Sequence, residues 1–357
     1  MKKLSNFRWG TVLLLSILFA SCSSSSPGEE STDLPKNLVL SVDVQGQSSA
    51  NPNGDGSGKV TLHFSADNAT SYKINFGNGE KVETSANTYP YTYTGGGTKT
   101  YDIYVSAYKA DKFISQSKTI TIYVAPGLIW ADEFNGSGAP DSSKWGYDIG
   151  AGGWGNNESQ YYTSRSDNVV VENGLLKITA QKENYEGATY TSARLNTQGK
   201  FNFKYGKIEV RAKLPEGGGT WPAIWMLGSN FSTVGWPACG EIDIMEEVGN
   251  DPGKIHSSLH TPSSYGATTN TGTKMVPNFS TEFHVYSAEW SANKIQFAVD
   301  GTVFYTYNPA EKNANTWPFD SNQFIILNLA MGGNFGGTID PDFNKGTMEV
   351  DYVRVYQ

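Results

Sequence analysis

Cysteine is almost missing from this chain of 357 residues: there are two, Cys22 and Cys239. Cys22 falls in an N-terminal targeting segment, which leaves Cys239 alone in the folded part. A disulfide framework and a cysteine-based metal site are thereby excluded. Cys239 stands two residues before Glu241, so a nucleophilic thiol has to be weighed. No histidine occupies an obvious partner position, and a small half-buried residue is the simpler reading. Basic charge is scarce as well, with 27 Lys and Arg against 35 Asp and Glu and a net charge of −8. A nucleic-acid partner would want the opposite balance, whereas a neutral polysaccharide is compatible with it. Long hydrophobic runs are lacking too. The apolar run at residues 11–19 is too short to span a bilayer as a mature helix, and no long amphipathic helical stretch is visible after residue 126.

What the chain does have is aromatic residues and glycine: 20 Tyr, 17 Phe, 9 Trp and 39 Gly. That mixture favours β-structure with many turns. The length suggests two domains and a leader. Residues 1–21 read as the leader, with Lys2, Lys3 and Arg8 before the apolar run. The string Leu18-Phe19-Ala20-Ser21-Cys22 resembles a bacterial lipoprotein box, and that resemblance implies cleavage before Cys22 and lipidation of its thiol. The anchor would be acyl chains only, on the outer membrane or cell surface. Residues 22–36, bearing Ser, Glu and Pro without periodicity, read as a flexible tether.

Residues 37–125 read as a small all-β domain. Alternation is clear at residues 38–44, 60–64 and 101–107, and Asn53-Gly54, Asn78-Gly79 and Gly95-Gly96-Gly97 supply turns. About seven short strands in roughly ninety residues suggest an immunoglobulin-like sandwich. The pieces Asn75-Phe76-Gly77-Asn78-Gly79 and Tyr91-Thr92-Tyr93 resemble the polycystic-kidney-disease type of that fold. No acids converge here, so a spacer is the expected role. Pro126-Gly127 marks a boundary, and residues 127–357 carry further alternating segments at 175–180, 207–214, 294–299 and 348–355. A strand-only domain of this size is expected to be a large jelly-roll β-sandwich, with one face offering a groove for an extended ligand.

The chemistry gathers in Gly240-Glu241-Ile242-Asp243-Ile244-Met245-Glu246-Glu247. On a strand, Glu241 and Asp243 share one face while Ile242 and Ile244 share the other. Regular alternation would turn Glu246 away, so a β-bulge near Met245 is required to bring it back. Glu247 should then face away and is given no catalytic role. Carboxylates this close repel one another and split their pKa values, which is what acid-assisted cleavage of a glycosidic bond needs. Aromatics crowd the same region: Trp221, Trp225 and Trp236, with Trp154, Tyr161 and Tyr162 earlier in the chain. Indole and phenol rings stack on the apolar faces of sugars.

With Trp130-Ala131-Asp132-Glu133-Phe134, Gly219-Thr220-Trp221-Pro222-Ala223-Ile224-Trp225-Met226-Leu227, Asn328-Leu329-Ala330-Met331-Gly332-Gly333 and Asp351-Tyr352-Val353-Arg354-Val355-Tyr356, the acidic string resembles the signature of glycoside hydrolase family 16, in its laminarinase-like branch. The resemblance implies Glu241 as nucleophile, Asp243 as its helper and Glu246 as general acid/base. It further implies sugar contacts at Asn156, Arg194 and Asn328 beside the three tryptophans, and a role for His260 near the carboxylates. His256 and His284 are expected to be structural. No cofactor is expected for catalysis. A structural calcium is implied at Asp351 with the backbone carbonyls of Glu133 and Gly174, since oxygen-only ligation suits that ion. The expected activity is a retaining endo-hydrolysis of β-1,3-glucan or mixed β-1,3/1,4-glucan by a monomer. The alternatives are a galactan hydrolase of the agar or carrageenan kind, for which Arg165, Arg194 and Lys254 leave room, and a non-catalytic glucan-binding protein.

Overall fold

A computed structural model describes residues 34–357; the leader, Cys22 and the tether as far as residue 33 lie outside the described residues. The expected tether ends early, because Lys36 already opens the strand Lys36–Val44. Two compact units are present, one formed by residues 34–43, 60–91 and 100–121 and the other by 44–59, 92–99 and 122–357.

In the first part of the chain the strands form a three-stranded sheet, centred on Lys59–Asp67, and a four-stranded sheet in the order Lys81–Thr84, Ser71–Asn75, Gly97–Lys109, Lys112–Val124. Every second residue points inward, so Leu62, Phe64, Ile74, Ile103 and Val105 are buried while their neighbours face solvent.

The larger unit is built from two sheets, of ten and seven strands. The ten-stranded sheet holds the alternating segments read from the sequence, as Leu175–Tyr185, Gly206–Lys213, Ile295–Val299 and Lys345–Tyr356. Its hairpins are turned by Asn173-Gly174 and Asp300-Gly301, and all four residues have positive φ (54°, 77°, 51° and 74°). That pair of left-handed residues matches the twist of the flanking strands, which is why Asn-Gly and Asp-Gly mark such turns.

The seven-stranded sheet runs in the order Thr271–Met275, Lys254–His260, Glu241–Glu246, Thr220–Gly228, Gln323–Met331, Arg194–Asn196, Gly146–Asp148. One continuous core lies between the sheets. Ile224, Met226, Ile242, Leu259, Ile325 and Leu327 enter it from the seven-stranded side, and Leu176, Ile178, Val210, Ala288, Val353 and Val355 from the other. Two sheets each giving one apolar face to a shared core make a sandwich, and the outer face of the smaller sheet is left for chemistry. Two four-residue helices are the only α-helices among the described residues, in keeping with the all-β expectation. No helix among the described residues is long and apolar enough to cross a membrane.

Candidate active site

Register decides which side chains meet on that outer face. Residues directly opposite in an antiparallel pair project to the same side. Starting at Glu246 and crossing the sheet, the partners are His256 on one side and Ala223, Asn328, Arg194 and Asp148 on the other. The next rung carries Ser258, Asp243, Trp225, Ile326 and Asn196. The rung beyond it carries His260, Glu241, Leu227 and Phe324. Residues from six separate stretches of chain thus form one surface.

The required bulge is present. Between the pairs Asp243–Ser258 and Glu246–His256, Ile244 and Met245 oppose Ser257 alone. Against the strand Thr220–Gly228, Met245 still pairs with Ile224 and Ile244 is skipped. The extra residue is therefore Ile244, one position before the expected Met245. The displacement has a simple cause: Ile244 and Met245 are both apolar and both buried in the core, so either can be accommodated inward. Its effect is as required, since Glu246 rejoins Glu241 and Asp243.

Gly240 sets the entry to this strand. Its φ is +75°, and a Cβ there would stand 3.0 Å from two ring carbons of Phe319, so only glycine fits. Cys239 just before it is fully buried beside Leu227, Phe324 and Ile326. Burial pushes its thiol up to about 11, which keeps it protonated and removes it as a nucleophile.

Each glutamate has its own indole donor. Trp236 Nε1 donates to Glu241 Oε2 at 2.8 Å, and Trp221 Nε1 donates to Glu246 Oε1 at 3.0 Å. Asp243 and Glu246 are 3% and 9% exposed. Burial first, and the neighbouring Asp243 second, push the Glu241 carboxyl up to about 8. Burial likewise raises Asp243. Glu246 is driven well above the usual carboxylate range, by burial and then by the Asp243 charge. Glu241 is the most exposed of the three and also feels Arg194. Glu246, buried beside the Asp243 charge, is thus suited to hold a proton, and Glu241, more exposed and near Arg194, to lose one.

His260 lies against this cluster, with Nε2 3.1 Å from Asp243 Oδ2 and 3.7 Å from Glu241 Oε1. On the far side of the ring the Gly266 backbone N–H donates to Nδ1 at 3.1 Å. Nδ1 must therefore be the bare nitrogen, and the ring proton sits on Nε2, facing the carboxylates. Glu241, Asp243 and His260 are the one group among the described residues whose side chains converge as metal ligands could. The tautomer opposes that use, because the nitrogen facing the acids carries the proton.

The residues expected to touch sugar are joined in one hydrogen-bonded chain. Asn156 Nδ2 donates to Glu158 Oε1 at 3.3 Å, Tyr162 Oη donates to Glu158 Oε2 at 3.1 Å, and Asn328 Nδ2 donates to Tyr162 Oη at 3.1 Å. Trp225 Nε1 then donates to Asn328 Oδ1 at 2.7 Å. The Arg194 guanidinium lies over the rings of Trp225 and Trp154, 4.7 and 5.1 Å from their centroids, and its Nε is 2.8 Å from Asp148 Oδ2. Trp236 is 44% exposed and meets Tyr265 edge-on at 5.3 Å, an aromatic rim beside Glu241.

Three residues of this face were missed or misread in the sequence. Glu158 is the hub of the chain just described, yet its segment reads only as a mixed polar loop. Asp148 sits on a three-residue strand, too short to show alternation. His256, expected to be purely structural, is the register partner of Glu246, with its ring edge-on to Phe335 at 5.0 Å. An odd-even count from His260 along the strand would have placed it on this face. Glu247 does turn away as expected. It is fully buried, accepts the Gly253 N–H at 3.2 Å, and burial pushes its carboxyl up to about 8.

The implied calcium residues lie apart from this face. The Glu133 side chain takes both Arg354 nitrogens at 2.8 Å, and Asp351 Oδ2 is 2.5 Å from Arg211. On the side of the strand away from Arg211, Asp351 and Tyr352 have no register partner. Val350 pairs with Leu176 and Val353 with Asp132, so the chain ends at Gly174 and Glu133 reach the strand on either side of Asp351 and Tyr352. The Asp351 carboxylate has a guanidinium partner in Arg211, and oxygen-only ligation is the chemistry a calcium there would need.

The sequence-family model of glycosyl hydrolases family 16 matches residues 156–354. A "Beta-glucanase" from Rhodothermus marinus is 46% identical over 243 residues, covering 64% of this chain and 85% of its own length. The crystal structure of a laminarinase from Flavobacterium sp. UMI-01 superposes with a TM-score of 0.62 at 47% identity, over 65% of this chain and all of the other. That of a mutant of SCLam, a non-specific endo-beta-1,3(4)-glucanase, presenting 1,3-beta-D-cellobiosyl-glucose at its active site, gives 0.62 at 46% identity, over 65% and 95%.

Proposed function

The chain belongs to the glycosyl hydrolases family 16, and on that premise we propose that it cleaves internal bonds of β-1,3-glucan or mixed β-1,3/1,4-glucan by double displacement. The observation that carries this is the Ile244 bulge, which sets Glu241, Asp243 and Glu246 on one face with an indole donor for each glutamate. Glu241, once ionised, attacks the anomeric carbon while Glu246 protonates the departing oxygen; Glu246 then takes a proton from the water that releases the sugar. Asp243 sits between them, and its charge raises both neighbours. His260, with Nε2 3.1 Å from Asp243 Oδ2, carries its ring proton on the side of the row along which negative charge moves.

A neutral substrate suits the face better than a sulfated galactan. The cations that left that reading open are already paired, Arg165 with Glu183, Arg194 with Asp148 at 2.8 Å and Lys254 with Asp251 at 3.0 Å. The deciding measurement is product analysis on laminarin, lichenan, agarose and carrageenan, with wild type and Glu241→Ser. Oligosaccharides released first as β-anomers from laminarin or lichenan, and none by the variant, are expected. A wild type inactive on both glucans would overturn the reading.

The remaining assignments belong to the same proposal. Calcium at Asp351, with the carbonyls of Glu133 and Gly174, would brace the sandwich far from the chemistry; a chelator should then lower the melting temperature and leave kcat per folded molecule unchanged. The small β-domain acts as an immunoglobulin-like spacer behind a lipidated Cys22 on the cell surface, and the chain acts as a monomer. Radiolabelled palmitate incorporated by wild type and not by Cys22→Ala, with release of the enzyme by protease shaving of whole cells, is the expected result.

A further inference from the structure

The whole catalytic arrangement depends on one extra residue between Asp243 and Glu246, and a bulge is not held in place by the ladder that it interrupts. Ile244 has no register partner on either neighbouring strand. Across from it, Ser257 has a partner on the Thr271–Met275 strand, Gly272, and none on the carboxylate strand. The two unregistered residues are joined by a side chain: Ser257 Oγ donates to the Ile244 carbonyl at 2.7 Å. Ser257 is fully buried, and alternation points its side chain to the core, because His256 and Ser258 take the carboxylate face. Water does not reach this spot to replace the hydroxyl. A buried carbonyl stripped of its donor is destabilised, and a strand that straightened to remove the bulge, or carried it past Glu246, would turn Glu246 toward the core.

We propose that Ser257 is a positioning residue for the acid/base step: its hydroxyl, bonded to the Ile244 carbonyl, keeps the bulge in the strand before Glu246 and so keeps Glu246 on the reacting face. The inference rests on the glycosidase reading above. Ser257 touches neither sugar nor reacting atoms, and substrate binding through Trp221, Trp236 and the Arg194–Asn328 chain does not pass through it. The loss should therefore fall on kcat rather than on KM.

The test uses the full chain, with laminarin as substrate and three variants, Ser257→Ala, Ser257→Thr and Ser257→Val. Thr and Val have the same shape and differ in the hydroxyl alone, so their comparison removes the effect of volume. Val and Ala should lower kcat by about 10- to 100-fold with KM within about twofold of wild type, while Thr restores most of kcat. The high-pH limb of the kcat profile should also move down in Val and Ala, because a displaced Glu246 leaves the neighbourhood that holds its proton. Melting curves give the folded fraction by which each rate is normalised. Equal kcat and equal pH profiles for Thr and Val would overturn the proposal, and would leave the inward packing of Ile244 and Met245 as the sole determinant of the bulge. An inactive wild type would instead overturn the glucanase reading, so the two failures are distinguishable.

Discussion

Asp243→Asn removes a charge from the middle of the carboxylate row and keeps the side-chain shape. Ligating atoms of Glu241, Asp243 and His260 all lie within 4.8 Å of one another. Two unit charges at that separation and an effective dielectric constant of about 20 repel by about 3.5 kcal/mol, or about 2.5 pH units in a neighbour's pKa. Burial also raises Asp243, to about 8, so in the working range it carries only part of its charge. The expected movement is accordingly about 1–2 pH units. The sign is the same for both glutamates. With the Asp243 charge gone, Glu241 ionises at lower pH and the acidic limb moves down. Glu246 also gives up its proton at lower pH, so the alkaline limb moves down with it. The whole bell of kcat against pH should slide toward acid, with the rate at its optimum reduced about 10- to 100-fold. Initial rates of reducing-sugar release from laminarin between pH 4 and 10, normalised to the folded fraction, measure this. A bell that stays in place, or one that moves to higher pH, would refute the electrostatic account of the row.

Trp236→Phe deletes the N–H that reaches Glu241 at 2.8 Å; loss of that donor should raise the acidic limb and cut kcat/KM about 10-fold, and an unshifted limb would show that the indole serves only as a platform. Glu247 is a buried acid outside the chemistry, raised to about 8 against an unfolded value of about 4.3. For a carboxyl raised on folding, the native state binds the extra proton, so stability is full below the unfolded value and falls as pH climbs toward the folded one. Glu247→Gln should therefore melt with wild type at pH 5 and about 2–4 °C or more above it at pH 8; a gap that does not widen with pH would contradict this. Trp225→Phe breaks the bond to Asn328, 2.7 Å long, and frees that amide to rotate. KM for laminarin should rise several-fold with kcat nearly intact, and a pure kcat effect would place Trp225 in the chemistry instead of in binding.

Much of this was legible in residue order because β-structure writes a period of two into the chain. The alternation at residues 175–180, 207–214, 294–299 and 348–355 reappears as strands, and Asn173-Gly174 and Asp300-Gly301 turn hairpins with the positive φ those residues tolerate. The three acids with their need for a bulge were equally readable, since an odd separation between Asp243 and Glu246 cannot place both on one face of a regular strand. The Trp130–Phe134 motif proves to be structural: Asp132 accepts the Trp145 N–H at 2.7 Å and Glu133 grips Arg354.

Tertiary pairing decided the rest. Arg194 and Asn328 are more than a hundred residues apart and become neighbours only because their strands pair, and Asp148 joins them from a strand too short to carry a pattern. Ile244 and Met245 are both apolar, so sequence could demand an extra residue without saying which of the two it was; pairing with the Thr220–Gly228 strand chose Ile244. The tautomer of His260 depends on a backbone N–H six residues away, brought round by a turn. The chain's own order determined which residues could do glycosidic chemistry, because side-chain type and strand parity are local. Where they meet, which proton each holds and what keeps the bulge in place depend on contacts between distant segments, and those exist only in the folded sandwich.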